Sequence, residues 1–292
     1  MDLGRIGVWV NLDSYTAADA AAFARKVEAW GYGALWIPES RGRNVLVHAA
    51  LLASATTKLT IASGIANIYA RDPMTMANGQ RALAEASGGR FLLGIGVSHV
   101  PLVEGVRGHA YGKPVATMKA YLEAMGKAPY SAPAPKERPL TLLAALGPKM
   151  LQLAAGQADG AHPYLMTPEH TARARSALGK GKLLCPEQMI LLESDPHQAR
   201  SAARKLVSYY FQLTNYRNGL ASLGFTEVDF SDGGSDRLID AVVAWGDESG
   251  IRQRLEQHWA AGADHVCIQA LRPDGKPGPD ERALQVFAPK RA

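Results

Sequence analysis

Cysteine is scarce in this chain, and long apolar runs are missing. The 292 residues include two cysteines, Cys185 and Cys267, which lie far apart and outside any metal or redox spacing. We therefore expect two buried or inert thiols, as in cytoplasmic proteins. No apolar run approaches the ~20 residues that a membrane span needs. The first ten residues already have the pattern of a strand, which leaves no room for a signal peptide. These features predict a cytoplasmic protein without a membrane partner.

The motifs of several enzyme classes are absent as well. The histidines are dispersed, H-E-x-x-H does not occur, and we expect no metal site. G-x-S-x-G is missing, which argues against a serine hydrolase. Gly94 and Gly96 begin a dinucleotide-type loop, but His99 occupies the position of its third glycine, so a Rossmann site is not supported. Such a chain suits an organic cofactor that carries the chemistry itself.

The basic charge is modest and scattered. The net charge is +5, and the Lys and Arg residues form no dense stripe of the kind that nucleic-acid binders present. We therefore expect no nucleic-acid partner. A mild positive balance suits an anionic small molecule equally well.

A repeated unit runs along the chain: a short apolar run, a polar or Gly/Pro breaker, and an amphipathic helix. The apolar runs are Ile6–Val10, Ala34–Pro38, Leu59–Ser63, Phe91–Val97, Leu140–Ala145, Gly160–Tyr164, Gln188–Glu193 and Asp264–Leu271. They are rich in Val, Ile and Leu without clean alternation, which is typical of parallel strands buried on both faces. Eight such units predict an α/β fold, a (β/α)8 TIM barrel made by one domain over residues 1–292. The surplus of chain between about 206 and 245 predicts extra helices over a barrel rim.

In a TIM barrel the chemistry lies at the C-terminal ends of the strands. Glu39 follows the second run, either as a functional carboxylate or as the partner of a rim ion pair with Arg41 or Arg43. Residues 147–150 follow the fifth run. They are either a plain helix start or a phosphate site, because free N–H groups at a helix N-terminus bind anions and Lys149 adds charge.

Seven segments occur in a fixed order along the chain. They are GYGALWIPE at 31–39, LTIASGI at 59–65 with DPM at 72–74, GGRFLLGIGVSH at 88–99, YGKP at 111–114, GPKM at 147–150, ADGA at 158–161 and AGADHV at 261–266. Each is weak alone. In this order they resemble the luciferase-like monooxygenase superfamily, particularly its branch of F420-dependent oxidoreductases, over almost the whole chain.

The resemblance implies a cofactor site at the C-terminal end of the barrel. It places a cis non-proline peptide against the central ring of the cofactor at Gly64–Ile65. The cofactor-binding residues that it implies are Ser63, Gly64, Ile65, Gly96, Val97, Ser98, Gly147, Pro148, Lys149 and Met150. Glu39, Ser40 and His99 are the candidate catalytic residues, with Glu39 and His99 as proton handlers.

Two departures from the family pattern bear on function. Many relatives carry His directly after the acidic residue of the second strand, where this chain has Ser40, whose hydroxyl can position a ligand but cannot act as an imidazolium. The FMN-using branch places Arg near the phosphate, where Val97 stands here. The resemblance therefore favours coenzyme F420 over FMN, and hydride transfer between the deazaflavin and a small organic substrate.

Three alternatives stay open at the sequence level. One is an FMN-dependent monooxygenase on the same fold, with a reductase partner and oxygen. Another is a barrel that binds a flavin or deazaflavin without catalysis. The absence of His at position 40 is the feature that supports this alternative. The third is a cofactor-free aldolase or isomerase, for which Lys149 is the candidate reactive lysine. The resemblance also leaves a homodimer open.

Overall fold

Strands and helices alternate along most of the chain. The computed structural model describes residues 1–289. The strands are β1 (Ile6–Trp9), β2 (Ala34–Ile37), β3 (Thr60–Ser63), β4 (Ala66–Asn67), β5 (Phe91–Gly96), β6 (Thr141–Leu143), β7 (Gly160–Ala161), β8 (Leu183–Leu184), β9 (Glu187–Leu191), β10 (Val243–Trp245) and β11 (Val266–Ala270). The α-helices are α1 (Ala17–Ala29), α2 (Val45–Ser54), α3 (Pro73–Ala86), α4 (Val100–Val103), α5 (Pro114–Gly126), α6 (Pro148–Gln157), α7 (Pro168–Leu178), α8 (Pro196–Val207), α9 (Thr214–Ala221), α10 (Glu227–Phe230), α11 (Asp236–Val242), α12 (Glu248–Ala260) and α13 (Glu281–Val286). Short 3-10 helices cover Ile68–Ala70, Tyr210–Gln212 and Ser231–Gly233.

The strands pair in parallel and close into a barrel. From β1 the pairing runs through β2, β3, β5, β6 and β7 to β8 on one side, and through β11 to β9 on the other. β8 and β9 belong to one continuous segment that closes the ring. Cys185 N–H donates to Ala161 O (2.9 Å) and Cys267 N–H donates to Pro186 O (3.0 Å), so this segment is bonded on both edges. The predicted (β/α)8 barrel is confirmed.

The observed strands match the predicted runs, with three differences. The two-residue strand β4, which pairs with β5, was not predicted. Pairing of the seventh strand begins at Leu183 rather than Gln188, because Pro186 divides an otherwise continuous strand into β8 and β9. β10 was not predicted. It pairs with the end of β9 outside the ring, with Val243 opposite Met189.

Side chains at the helix starts set where several helices begin. Asp72 and Asp195 accept backbone N–H groups of α3 and α8, and Thr16 and Asp247 do the same for α1 and α12. Thr167 precedes α7 without donating or accepting such a capping bond. These helices therefore begin where the sequence has a capping side chain or, as at α7, a proline at the first helical position.

Apolar side chains fill the layer between the barrel and its helices, and a second cluster lies under the insertion. On α1, Phe23 and Val27 lie one turn apart and are both buried. Between residues 206 and 245, α9, α10 and α11 pack through a separate buried cluster that includes Phe211, Leu220 and Leu238. The extra helices are therefore confirmed. Within residues 1–289, no helix is both long and apolar enough to cross a membrane.

Candidate functional site

The segments that follow β2 and β3 meet at the C-terminal end of the barrel. Gly64 N–H donates to Ile37 O (2.8 Å), and Glu39 N–H donates to Ile65 O (3.1 Å). The backbone pairing of β2 with β3 therefore continues past the ends of the regular strands. It brings Glu39 and Ser40 next to the Gly64–Ile65 peptide, although they lie far from it in the sequence.

Glu39 is a buried ion-pair partner. Its side chain is 4% exposed and pairs with Arg71, whose side chain is 5% exposed. The other carboxylate oxygen accepts the N–H of Asn67 (2.9 Å). The rim ion pair that was considered with Arg41 or Arg43 is not formed, because Glu39 points inward to the segment after β3. Both oxygens are occupied, so the geometry makes Glu39 a positioning group for that segment.

The Gly64–Ile65 peptide bond is cis, at the position that the resemblance indicated. Trp9 Nε1 donates to Gly64 O (2.9 Å), which ties this peptide to the end of β1. A Cβ on Gly96 would lie 2.9 Å from the side chain of Ile65, so glycine at 96 allows Ile65 to pack closely against β5. The result is a partly exposed, apolar surface at the mouth of the barrel.

Ser63 joins two strands. It is fully buried, its hydroxyl donates to Gly94 O (2.8 Å), and it accepts Gly94 N–H (3.0 Å). Ser63 thus supports the site from below. Asn67, just after the cis peptide, was not among the predicted residues. Its Oδ1 accepts Tyr69 N–H (2.9 Å), while its buried Nδ2 has no hydrogen-bond partner in the described part of the chain. The signal in the sequence that could have identified Asn67 is its position as a polar residue at the end of a strand.

Ser40 is half-buried, and an unpredicted arginine lies beside it. Arg107, from the segment after α4, donates from Nη2 to Ser40 O (3.2 Å). Its buried Nε has no partner within residues 1–289. A positive charge therefore stands next to the position where the resemblance led us to expect His.

The segment after β5 carries Val97, Ser98 and His99. Ser98 has φ 58°, in the left-handed region that non-glycine residues rarely occupy, and its carbonyl accepts the Tyr111 hydroxyl (3.2 Å). His99 Nδ1 lies 3.1 Å from Asn215 Oδ1. Because Oδ1 can only accept, Nδ1 carries the proton and Nε2 keeps its lone pair. Burial lowers the pKa of His99, an effect that the Asn215 bond opposes. A neutral imidazole acceptor results.

The start of α6 faces solvent at the same end of the barrel. Gly147, Pro148 and Lys149 are exposed, and no side chain caps the helix. Met150 differs from them. Its side chain is buried and its N–H donates to Gly147 O (3.1 Å). A Cβ on Gly147 would meet no atom within 4 Å. Pro148 has no N–H, and the Met150 and Leu151 N–H groups both donate to Gly147 O. The Lys149 N–H and the Lys149 ammonium are therefore the groups of this helix start that can bind an anion.

Five aromatic rings are in mutual contact at the mouth of the barrel, among them the predicted site residue His99 and two tyrosines of the predicted insertion at 206–245. The ring centroids of Trp9 and Tyr164 lie 5.1 Å apart. Those of Tyr164 and Tyr210 lie 5.4 Å apart, those of Tyr210 and Tyr216 5.3 Å, and those of Tyr216 and His99 5.5 Å. We call these five residues the aromatic box. The position of Tyr164 at the end of a predicted strand was the available signal.

Neutral polar groups occupy the barrel interior beneath the site. Burial raises the pKa of Glu187 to about 8, and Glu187 Oε2 accepts Leu165 N–H (3.1 Å). Burial lowers the pKa of His162 to about 4, and its ring stacks on Trp36 with centroids 4.5 Å apart. Both groups are therefore uncharged near pH 7, as a low-dielectric interior requires. Cys185 and Cys267 are buried as free thiols, as predicted.

The sequence matches one described protein family over most of its length. The family model described as luciferase-like monooxygenase matches residues 1–265. A Mycobacterium tuberculosis protein provisionally named coenzyme F420-dependent oxidoreductase is 24% identical, over 92% of this chain and 95% of its own. The 5,10-methylenetetrahydromethanopterin reductase of Archaeoglobus fulgidus is 26% identical, over 89% and 90% of the two chains.

The fold is likewise that of solved structures. The F420-dependent tetrahydromethanopterin reductase from Methanopyrus kandleri superposes with a TM-score of 0.73 at 17% sequence identity, over 98% of each chain. At that identity the match concerns the fold alone.

Proposed function

Because this chain belongs to the luciferase-like monooxygenase family, a family of oxidoreductases, we propose that it is an F420-dependent oxidoreductase acting on a small organic substrate. The observation that carries the proposal is the mouth of the barrel. There an apolar surface around the Gly64–Ile65 peptide and an uncapped helix start face the same opening. Curated relatives that match nine-tenths of the chain support the deazaflavin as the cofactor.

The residues present fit a flat cofactor with a phosphate. Ile65 offers an apolar contact for a ring, and the unpartnered Nδ2 of Asn67 offers a donor to a ring carbonyl or a polyol hydroxyl. Gly147, Pro148 and Lys149 offer a helix N-terminus and a positive charge to the phosphate. When bound, a deazaflavin supplies the hydride acceptor or donor.

The residues of the chain act by positioning. The Arg71–Glu39 pair fixes Asn67 and the segment after β3, and Ser63 fixes the strands below it. His99 Nε2 has a free lone pair for a proton, and Ser40 lies beside the charge of Arg107. Alignment of two reacting groups in a water-poor pocket can lower a barrier by ~7–11 kcal/mol in favourable cases.

Val97 supports F420 over FMN, because the side chain at that position carries no charge for the FMN phosphate. The FMN-dependent monooxygenase remains the second candidate, since the family description itself names monooxygenases.

The test is a titration of the purified protein with F420 and, separately, with FMN, followed by quenching of tryptophan fluorescence. We expect F420 to bind at micromolar or lower concentration and FMN to bind much more weakly. The reverse preference would assign the chain to the FMN-dependent enzymes. Binding of neither would refute the proposed function.

A matched pair of lysine variants locates the phosphate. Lys149→Gln should weaken F420 binding roughly threefold at low salt, in line with the ~0.3–1 kcal/mol of a charge at a helix end. Lys180→Gln removes a charge that is also exposed from the loop that enters β8, at the opposite end of the barrel, and should leave binding unchanged. Equal effects of the two changes would contradict the phosphate position.

A further inference from the structure

The aromatic box contains one chain of hydrogen bonds with a defined direction. The Tyr164 hydroxyl lies 2.9 Å from Gln269 Oε1 and 3.1 Å from the Tyr210 hydroxyl. Since Oε1 can only accept, Tyr164 donates to Gln269. Tyr210 then donates to Tyr164. The lone pairs of the Tyr210 oxygen are left to accept a further hydrogen bond.

The residues of this hydrogen-bond chain are partly open to solvent. Trp9 and Tyr216 are buried, whereas Tyr164, Tyr210 and Gln269 each keep part of their surface accessible to solvent. Burial nevertheless raises the pKa of Tyr164 and of Tyr210, so protein surrounds both rings closely and both hydroxyls stay protonated. Part of the surface of Tyr164 and of Tyr210 is therefore open to a ligand.

The aromatic box adjoins the proposed cofactor surface. Trp9 contacts Tyr164 with its ring and binds Gly64 O through Nε1 (2.9 Å). At the other side of the box, Tyr216 contacts His99. None of the five box residues is Asp, Glu, Lys or Arg, and the nearby Glu187, which acts on Tyr164, Tyr210 and Tyr216, is neutral near pH 7 because burial raises its pKa to about 8. The rings therefore favour an uncharged, flat ligand.

We propose that the aromatic box binds the substrate of the proposed oxidoreductase as an uncharged ring compound, and that the Tyr210 oxygen selects a compound whose hydroxyl or N–H group donates to it. This inference depends on the proposed function only in calling the bound compound a substrate. Binding of the compound involves the protein alone and can be measured without any cofactor.

The experiment compares two ligands that differ in one donor, 4-ethylphenol and 4-ethylanisole, by saturation-transfer-difference NMR with the cofactor-free protein. We expect the phenol to bind about three- to tenfold more tightly, the effect of one net hydrogen bond of ~0.5–1.5 kcal/mol. Tyr210→Phe should reduce the ratio of the two dissociation constants to about one. Tyr209→Phe is the matched control, because Tyr209 is the adjacent residue and its side chain is exposed; it should keep the ratio.

A third variant should improve binding of the ether. Tyr164→Phe removes the acceptor of the Tyr210 proton, which becomes free to donate to an ether or carbonyl oxygen. The anisole should then bind more tightly than it does to the unchanged protein, an effect that a purely structural role of Tyr164 does not produce. Circular dichroism of each variant verifies folding.

Two results would overturn the proposal: no binding of either compound, or a phenol preference that survives Tyr210→Phe. Neither affects the F420 titration, so failure of this inference and failure of the proposed function are distinguishable.

Discussion

Replacing Glu39 by Gln tests whether the buried ion pair holds the site together. The Glu39 and Arg71 side chains are 4% and 5% exposed, and the same carboxylate accepts the N–H groups of Val45 (3.2 Å) and Asn67 (2.9 Å). The amide of Gln cannot serve all three donors, because one of its two ends is itself a donor. Arg71 would then be left as a buried charge without a counter-ion.

Removing one partner of a buried pair costs about 3–5 kcal/mol, and we expect Glu39→Gln to lower the free energy of unfolding by that amount. Urea denaturation followed by far-UV circular dichroism measures it. F420 binding should weaken in parallel under conditions where the variant remains folded, since Asn67 loses its anchor.

Two controls separate this explanation from a general effect of losing a carboxylate. Glu123→Gln removes the partner of Lys119 from an exposed pair (57% and 50% exposed, 3.9 Å) and should change stability by less than ~1 kcal/mol. The double change Glu39→Gln with Arg71→Met removes the unpaired charge and should be less destabilising than Glu39→Gln alone. A loss below ~1 kcal/mol for Glu39→Gln would refute the reasoning.

Three further predictions follow from groups beneath the site and in the helices. Burial raises the pKa of Glu187 to about 8 in the folded protein, whereas in the unfolded chain it is ~4. The contribution of neutral Glu187 to the free energy of unfolding is therefore complete below pH ~4. It falls by up to ~1.4 kcal/mol per pH unit as the pH rises toward 8. Glu187→Gln removes this fall, so its unfolding free energy relative to the unchanged protein should increase from pH 5 to pH 8; parallel curves would contradict the assignment. Gly94→Ala should destabilise by more than ~1 kcal/mol, because its Cβ would lie 2.1 Å from Ser63 O. Gly126→Ala, whose Cβ meets no atom within 4 Å at the end of α5, should stabilise by ~0.4–1 kcal/mol; thermal unfolding of both variants checks the contrast. Ser63→Ala should cost ~1–3 kcal/mol by the same assay, since Gly94 N–H then lacks its acceptor, and an unchanged melting temperature would mean that water replaces the hydroxyl.

The barrel itself was predictable from the sequence. Each strand is a short apolar run and most helices begin at a recognisable cap or proline, signals that act over a few residues and do not depend on the rest of the fold. The ordered segments of the luciferase-like pattern also located the cis peptide at Gly64–Ile65 and the uncapped start of α6. The division of the seventh strand was not predicted, because its first pairs become visible only when Leu183 meets Gly160 on the neighbouring strand.

The arrangement of the site was decided by the tertiary structure. Glu39 and Arg71 are 32 residues apart in sequence, Tyr164 and Gln269 are 105 apart, and no local pattern links them. Which side chains meet depends on the register of the parallel strands and on the path of the segments after them. The sequence alone therefore determined the elements, their order and the end of the barrel that holds the site. Only the closed barrel determined that Glu39 is a paired carboxylate and that the Tyr164 and Tyr210 hydroxyls meet, because hydrogen bonds and ion pairs form between atoms that packing brings within about 3 Å.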